Sequence, residues 1–173
     1  DKTNKFYNEI KKNKKFLTNK NIFIFGIKPN TPSDQFGYFI TKRRKKIDTV
    51  SRFFEKPNKI KAKIIIKKGG YWNSGIFFLR KDSLINNFKR YQKSIYLNSS
   101  LAVSKSNFRN KIYYLNKRAF IKNPSKSFDY AILENANDIN AIKLNIPWSD
   151  LGSWKEILLM FNKNKRKYFK KKN

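Results

Sequence analysis

At 173 residues the chain is long enough for one ordinary domain, which buries about two thirds of its unfolded surface without needing disulfide staples. It contains neither cysteine nor histidine, which excludes disulfide frameworks, thiolate nucleophiles, zinc–cysteine sites and imidazole bases, and leaves only oxygen donors, suited to hard cations such as magnesium. Its 41 Lys and Arg against 11 Asp and Glu give a net charge of +30, which invites non-specific polyanion binding, but the lysines are spread through every segment, as A/T-rich codon usage also produces, so a selected nucleic-acid-binding module is the lesser reading.

In chain order, Phe6, Ile10 and Leu17 recur at near-helical spacing on a polar background, and "NIFIFGI" follows as a buried-type strand closed by the turn residues of "KPNTPSD". Two strands are predicted next, around Tyr38 to Thr41 and Ile47 to Phe54, ended by Pro57, which has no N–H to donate. "NKIKAKIIIKKGG" predicts a helix with Gly69 or Gly70 as its left-handed cap. "GIFFLR" is strand-like, "DSLINNFKRY" helical behind an Asp/Ser cap, "SKSFDYAILEN" helical behind Ser127, "INAIKLNI" a strand, and "GSWKEILLMF" a last helix capped by Ser153. This order predicts an α/β three-layer sandwich with a mostly parallel sheet and a binding site at the carboxyl ends of its strands. Residues 1–161 would form the domain, and 162–173 a basic, disordered tail.

No apolar run approaches the roughly 18 residues of a membrane span, and the opening "DKTNKFYNEIKKNKKFL" has no signal-peptide apolar region. A cytoplasmic chain with no membrane partner is expected, beginning as the middle of a longer protein would.

Three motifs carry chemistry. In "YWNSG", Asn73 offers an amide that both donates and accepts, as sugar hydroxyls require, and Gly75 permits close backbone approach; the alternative is a turn leading into a strand beside a buried Trp. In "FFEKP", Glu55 and Lys56 stand where a strand ends, the lysine a mobile point charge for a phosphate, although one lysine among so many is uninformative by itself. In "PWSDLGSW", Asp150 is either a magnesium ligand or an ordinary turn carboxylate bonded to nearby amides.

Taken in order, "FGIKPNTPSDQFGYF", "FFEKP", "GGYWNSGIFFLR", "SFDYAILE" and "WSDLGSW" resemble the mannose-1-phosphate guanylyltransferases, across roughly 21–157. The resemblance implies a nucleotide-diphosphosugar transferase fold, GTP and mannose 1-phosphate as substrates, GDP-mannose and pyrophosphate as products, and magnesium as cofactor. By position, Glu55 and Asn73 would bond sugar hydroxyls, Lys56 would hold the sugar phosphate, Gly37 and Gly75 would shape the pocket, and Asp150 would coordinate magnesium. Asp129 and Tyr130, in a matching block, are read as helix-start and packing residues that support the site. The implied catalytic pair is Lys56 and Asp150.

Two departures stand out. The family opens its pocket block with a glycine where Gln35, followed by Phe36, stands here, and its glycine-rich triphosphate loop and upstream acidic metal ligand have no counterpart in the 173 residues. The chain is therefore expected to be the sugar-binding half of the domain, lacking the first βαβ elements and needing an amino-terminal segment or second chain for turnover. A catalytically inactive sugar-phosphate-binding remnant fits the same sequence.

Overall fold

The computed structural model describes residues 2–44, 46–150 and 158 of the chain. Strand β1 (Ile22–Ile27) is buried along its whole length. Strand alternation sends Phe23, Phe25 and Ile27 to one face and Ile22 and Ile24 to the other, and each set belongs to its own apolar cluster. The first cluster takes Phe6 and Ile10 of α1 (Lys2–Lys14) and Ala62 and Ile65 of α2 (Lys59–Lys67). The second takes Phe88 of α3 (Lys81–Tyr91) and the buried Ala131, Ile132 and Leu133 of a single π-helical turn, Asp129–Leu133. Helical elements thus cover both faces of β1, and fully burying each of Phe23 and Phe25 contributes about 2 kcal/mol relative to exposure.

The α/β class stands, but the predicted mostly parallel sheet does not. β1 pairs parallel with β7 (Ile139–Leu144) and antiparallel with β4 (Tyr71–Leu79). β2 (Tyr38–Arg44) and β3 (Ile47–Phe54) form an antiparallel hairpin, because the two residues between them are too few for a parallel crossover. β2 then joins β4 at Tyr38–Trp72 and Phe39–Tyr71, and β3 joins β7 at Asp48–Ala141 and Thr49–Asn140. The result is a mixed closed barrel, β1-β4-β2-β3-β7, in place of an open three-layer sandwich.

Several boundaries also move. Asn58 caps α2 by accepting the Lys61 N–H at 2.9 Å, and of the two glycines after the helix it is Gly69 that takes the left-handed conformation, at φ 75°. β4 begins at Tyr71 rather than Gly75, so Trp72 and Asn73 are strand residues, and Gly75, at φ 73°, lies where the pairing with β1 shifts register. The helix predicted behind Ser127 contracts to the π-helical turn. Helix α4 (Lys93–Ser104), the hairpin of β5 (Asn107–Arg109) and β6 (Ile112–Tyr114), and α5 (Lys117–Phe120) carry no clear period in the sequence and are structural findings. The predicted final helix, apart from Leu158, and the predicted tail lie outside the described residues. No helix among the described residues is long and apolar enough to cross a membrane.

Candidate functional site

Four of the sequence-predicted residues come together from three separate segments. Gly37 immediately precedes β2, Glu55 and Lys56 immediately follow β3, and Asn73 lies in β4. A β-carbon built on Gly37 would sit 2.8 Å from Glu55 Oε2 and 3.4 Å from the β-carbon of Asn73. The missing side chain of Gly37 is therefore the space that admits the Glu55 carboxylate, and the Gly37 carbonyl accepts the backbone N–H of Asn73 at 2.8 Å. Lys56 holds a left-handed backbone at φ 43°, costing about 1 kcal/mol for a residue with a β-carbon. That twist carries the chain from an exposed lysine into the buried Pro57.

Asn73 is 8% exposed and its amide is already oriented. Its Nδ2 donates to Asp129 Oδ1 at 2.8 Å and its Oδ1 accepts the Gly75 N–H at 3.3 Å. One amide proton and one lone pair remain for a ligand, in a fixed direction. Asp129 thus belongs to the site itself rather than only to a helix start, while Tyr130, read from sequence as packing, is half exposed. The signal for Asp129 was its place in "SFDYAILE"; its bond to a residue 56 positions away was not visible in the sequence.

The carboxylates share an unfavourable setting. Burial raises the pKa of Glu55 first, repulsion from Asp129 adds to it, and Lys56 opposes both. Burial likewise leads in raising Asp129, against the pull of its own backbone N–H, Lys56 and the Asn73 amide. A hydroxylated, phosphorylated ligand suits this arrangement, since carboxylates accept from hydroxyls while Lys56 meets the anion.

A cavity of about 760 Å³ opens beside this group along β3 and the approach to β7. It shares a wall with the group through Phe53, which also abuts Gly37, and through Glu134, whose charge acts on both Glu55 and Asp129. None of the sequence-predicted site residues lines it. The converging side chains carry the assignment, because a cavity alone states no chemistry.

Asp150 stands apart. It is exposed, on the segment after β7, and makes no hydrogen bond or ion pair with the described residues. Two residues earlier, Trp148 packs on Phe36 and Trp72, ring centroids 5.4 and 6.4 Å away, so the segment is anchored to the neighbours of Gly37 and Asn73. Among the described residues no group of three or more acidic side chains could hold a metal ion. A lone carboxylate still fits magnesium, which commonly takes one or two protein carboxylates and completes its shell with phosphates and water.

The family profile described as Nucleotidyl transferase matches residues 3–167. The chain is 33% identical over 135 residues to the xanthan biosynthesis protein XanB of Xanthomonas campestris pv. campestris, covering 78% of this chain and 29% of that protein. It is 31% identical over 164 residues to the mannose-1-phosphate guanylyltransferase RfbM of Salmonella typhimurium, covering 92% and 34% respectively. Among solved structures, the mannose-6-phosphate isomerase of Helicobacter pylori superposes with a TM-score of 0.76 at 26% identity, over 87% of this chain and 60% of that one. A Thermus thermophilus structure described as a mannose-1-phosphate geranyltransferase gives the same TM-score at 21% identity, over 88% and 43%, and supports the fold alone. The chain spans about a third of the length of the sequence relatives it matches.

Proposed function

The chain belongs to the nucleotidyl transferase family, and on that premise we propose that it supplies the sugar-phosphate half of a site that makes GDP-mannose and pyrophosphate from GTP and mannose 1-phosphate. The observation that carries this reading is the convergence of Gly37, Glu55, Lys56 and Asn73 on one place. Relatives named mannose-1-phosphate guanylyltransferase support the choice of sugar and base.

In this reading a sugar-phosphate oxygen attacks the α-phosphorus of GTP, the new P–O bond forms opposite the breaking one, and pyrophosphate leaves. No covalent nucleophile is required, so a chain without Cys or His is adequate. Lys56 holds the attacking phosphate as a counter-charge. Asn73, fixed by Asp129, and Glu55 bond the sugar hydroxyls and set the direction from which that phosphate points. Magnesium, held in part by Asp150, would neutralise developing charge on the phosphates when bound. On this reading turnover requires a glycine-rich triphosphate cradle in addition to these 173 residues.

Calorimetric titration with mannose 1-phosphate tests the reading. Lys56→Ala is expected to weaken binding about 10- to 100-fold, the worth of a charge-assisted contact, while free mannose binds wild type and variant alike. Equal affinity of both proteins for mannose 1-phosphate would remove Lys56 from the phosphate and with it the assignment. Turnover, measured as pyrophosphate release, is expected only when a segment bearing the triphosphate loop is supplied. No turnover in the completed protein would favour an inactive sugar-phosphate-binding remnant.

A further inference from the structure

Exposed apolar side chains are concentrated in one part of this molecule. Of the 17 large hydrophobic residues exposed among the described residues, 10 lie between Leu97 and Ile121. Single exposed hydrophobics need no explanation, but a concentration of them marks an interaction surface. The same region is free of acid: residues 83–128 contain no Asp or Glu and ten basic residues, Lys89, Arg90, Lys93, Lys105, Arg109, Lys111, Lys117, Arg118, Lys122 and Lys126.

Its most prominent feature is the β5–β6 hairpin, in which all six strand residues are exposed. Asn110 and Lys111 make the turn, both with positive φ, as a two-residue hairpin turn requires. Phe108 lies opposite Tyr113 on one face, their rings 4.6 Å apart, and Ile112 and Tyr114 occupy the other face. Such a two-stranded ribbon is marginal in water alone. Its base is firm, because the Asn116 N–H donates to Ala102 O at 3.0 Å and Asn98 of α4 donates to Lys122 O at 3.2 Å, beside α5 with its exposed Phe120.

We propose that this hairpin and the adjoining α4–α5 surface dock on an anionic lipid surface. Charge selects the occupant. A second copy would bring the same acid-free face against this one, and the chain's own 159–173 carries seven further basic residues and no acid. The two-sided apolar ribbon then favours lipid over other polyanions. A lipid interface deforms around both faces of the ribbon and takes up aliphatic groups such as Ile112 and Ile121 that nucleic acid does not. Tyr113 and Tyr114 of β6 and the flanking Lys and Arg match the side chains that settle at the headgroup level. Spanning the membrane is not involved.

Because a chain of charge +30 adheres to any anionic surface at low salt, the test removes apolar groups and keeps the charge. Co-sedimentation is measured with phosphatidylcholine vesicles with and without phosphatidylglycerol, at about 0.15 M salt, where long-range attraction is screened. Wild type is expected to bind the phosphatidylglycerol vesicles and not pure phosphatidylcholine. Phe108→Ser/Ile112→Ser/Tyr113→Ser is expected to lose at least about tenfold in affinity, whereas Ile60→Ser/Ile64→Ser, which removes exposed apolar groups from α2, loses none. Should the triple variant not fold, Phe108→Trp serves instead, and its fluorescence is expected to be quenched by brominated acyl chains. Equal binding by wild type and triple variant, no quenching, or displacement from the vesicles by a single-stranded oligonucleotide at lower concentration than phosphatidylglycerol would each overturn the proposal.

Discussion

Replacing Asp129 separates two effects that its carboxylate combines. Its Oδ1 accepts a hydrogen bond from Asn73 Nδ2 at 2.8 Å, and Asn73 is buried. Asp129→Ala therefore strands an amide proton, at a cost of about 1–3 kcal/mol. The carboxylate is also disfavoured where it stands, since burial and the nearby Glu134 raise its pKa in spite of Lys56 and Asn73. Asp129→Asn keeps an acceptor for Asn73 and removes the charge. At neutral pH the asparagine variant is expected to be at least as stable as wild type, and the alanine variant about 1–2 kcal/mol below the asparagine variant, or about 2–8 °C in Tm for a chain of this size. The pH dependence has a definite sign. Glu55 and Asp129 are both raised in the folded chain above their ordinary 4.5 and 3.8, so the folded state holds these protons more tightly. Their favourable contribution is fully present below the ordinary values and is lost as pH rises through the raised ones. Wild type is thus expected to gain on Glu55→Gln/Asp129→Asn as pH falls from about 7 to about 4. Urea unfolding across that range measures both effects. Equal stability of the alanine and asparagine variants, or a difference between wild type and the double variant that stays flat with pH, would refute the reasoning.

Gly70→Ala is expected to cost about 3 kcal/mol or more in a urea melt, because the new β-carbon would overlap Ile65 Cγ2 and lie 2.8 Å from the Ile65 carbonyl oxygen. Gly69→Ala meets open space but keeps a φ of +75° and should cost about 1 kcal/mol. Trp72→Phe removes an indole N–H that is buried without a partner among the described residues, which offsets lost packing, so a loss below about 1.5 kcal/mol is expected and a loss above about 3 would show that the N–H is satisfied. Gly37→Ala drives a methyl to 2.8 Å from Glu55 Oε2 and is expected to weaken mannose 1-phosphate binding about tenfold by calorimetry; unchanged affinity would place Glu55 outside the pocket.

The sequence was most legible where one period runs without interruption and local chemistry ends it. "IFIFGI" became a strand buried at every position, and the helix after Asn58 ends on a left-handed glycine, Gly69, one of the two its sequence offered. Legibility failed at 93–120, where α4 has exposed Leu97, Leu101 and Val103 and only Ala102 buried, so no apolar stripe announces it. It also failed at Tyr71–Ser74, because the glycine at 75 suggests a strand beginning there, whereas a bulge lets the strand pass through it.

The site shows the same division between local and distant information. Glu55, Lys56 and Asn73 were singled out by the order of the blocks that resemble the family, since one lysine among so many says little and "YWNSG" alone also reads as a turn into a strand. What joins them is sheet geometry: β2 meets β4 in only two residue pairs, at Tyr38–Trp72 and Phe39–Tyr71, and that contact sets Gly37 beside Asn73. Asp129 enters from the other side of the chain, through a turn whose apolar residues fill the core against Ile22 and Ile24. A carboxylate held there by core packing orients the Asn73 amide even though burial opposes its charge. The unfavourable ionisation and the ordered amide are therefore two consequences of one placement, and a variant that relieves the first while keeping an acceptor should leave the second intact.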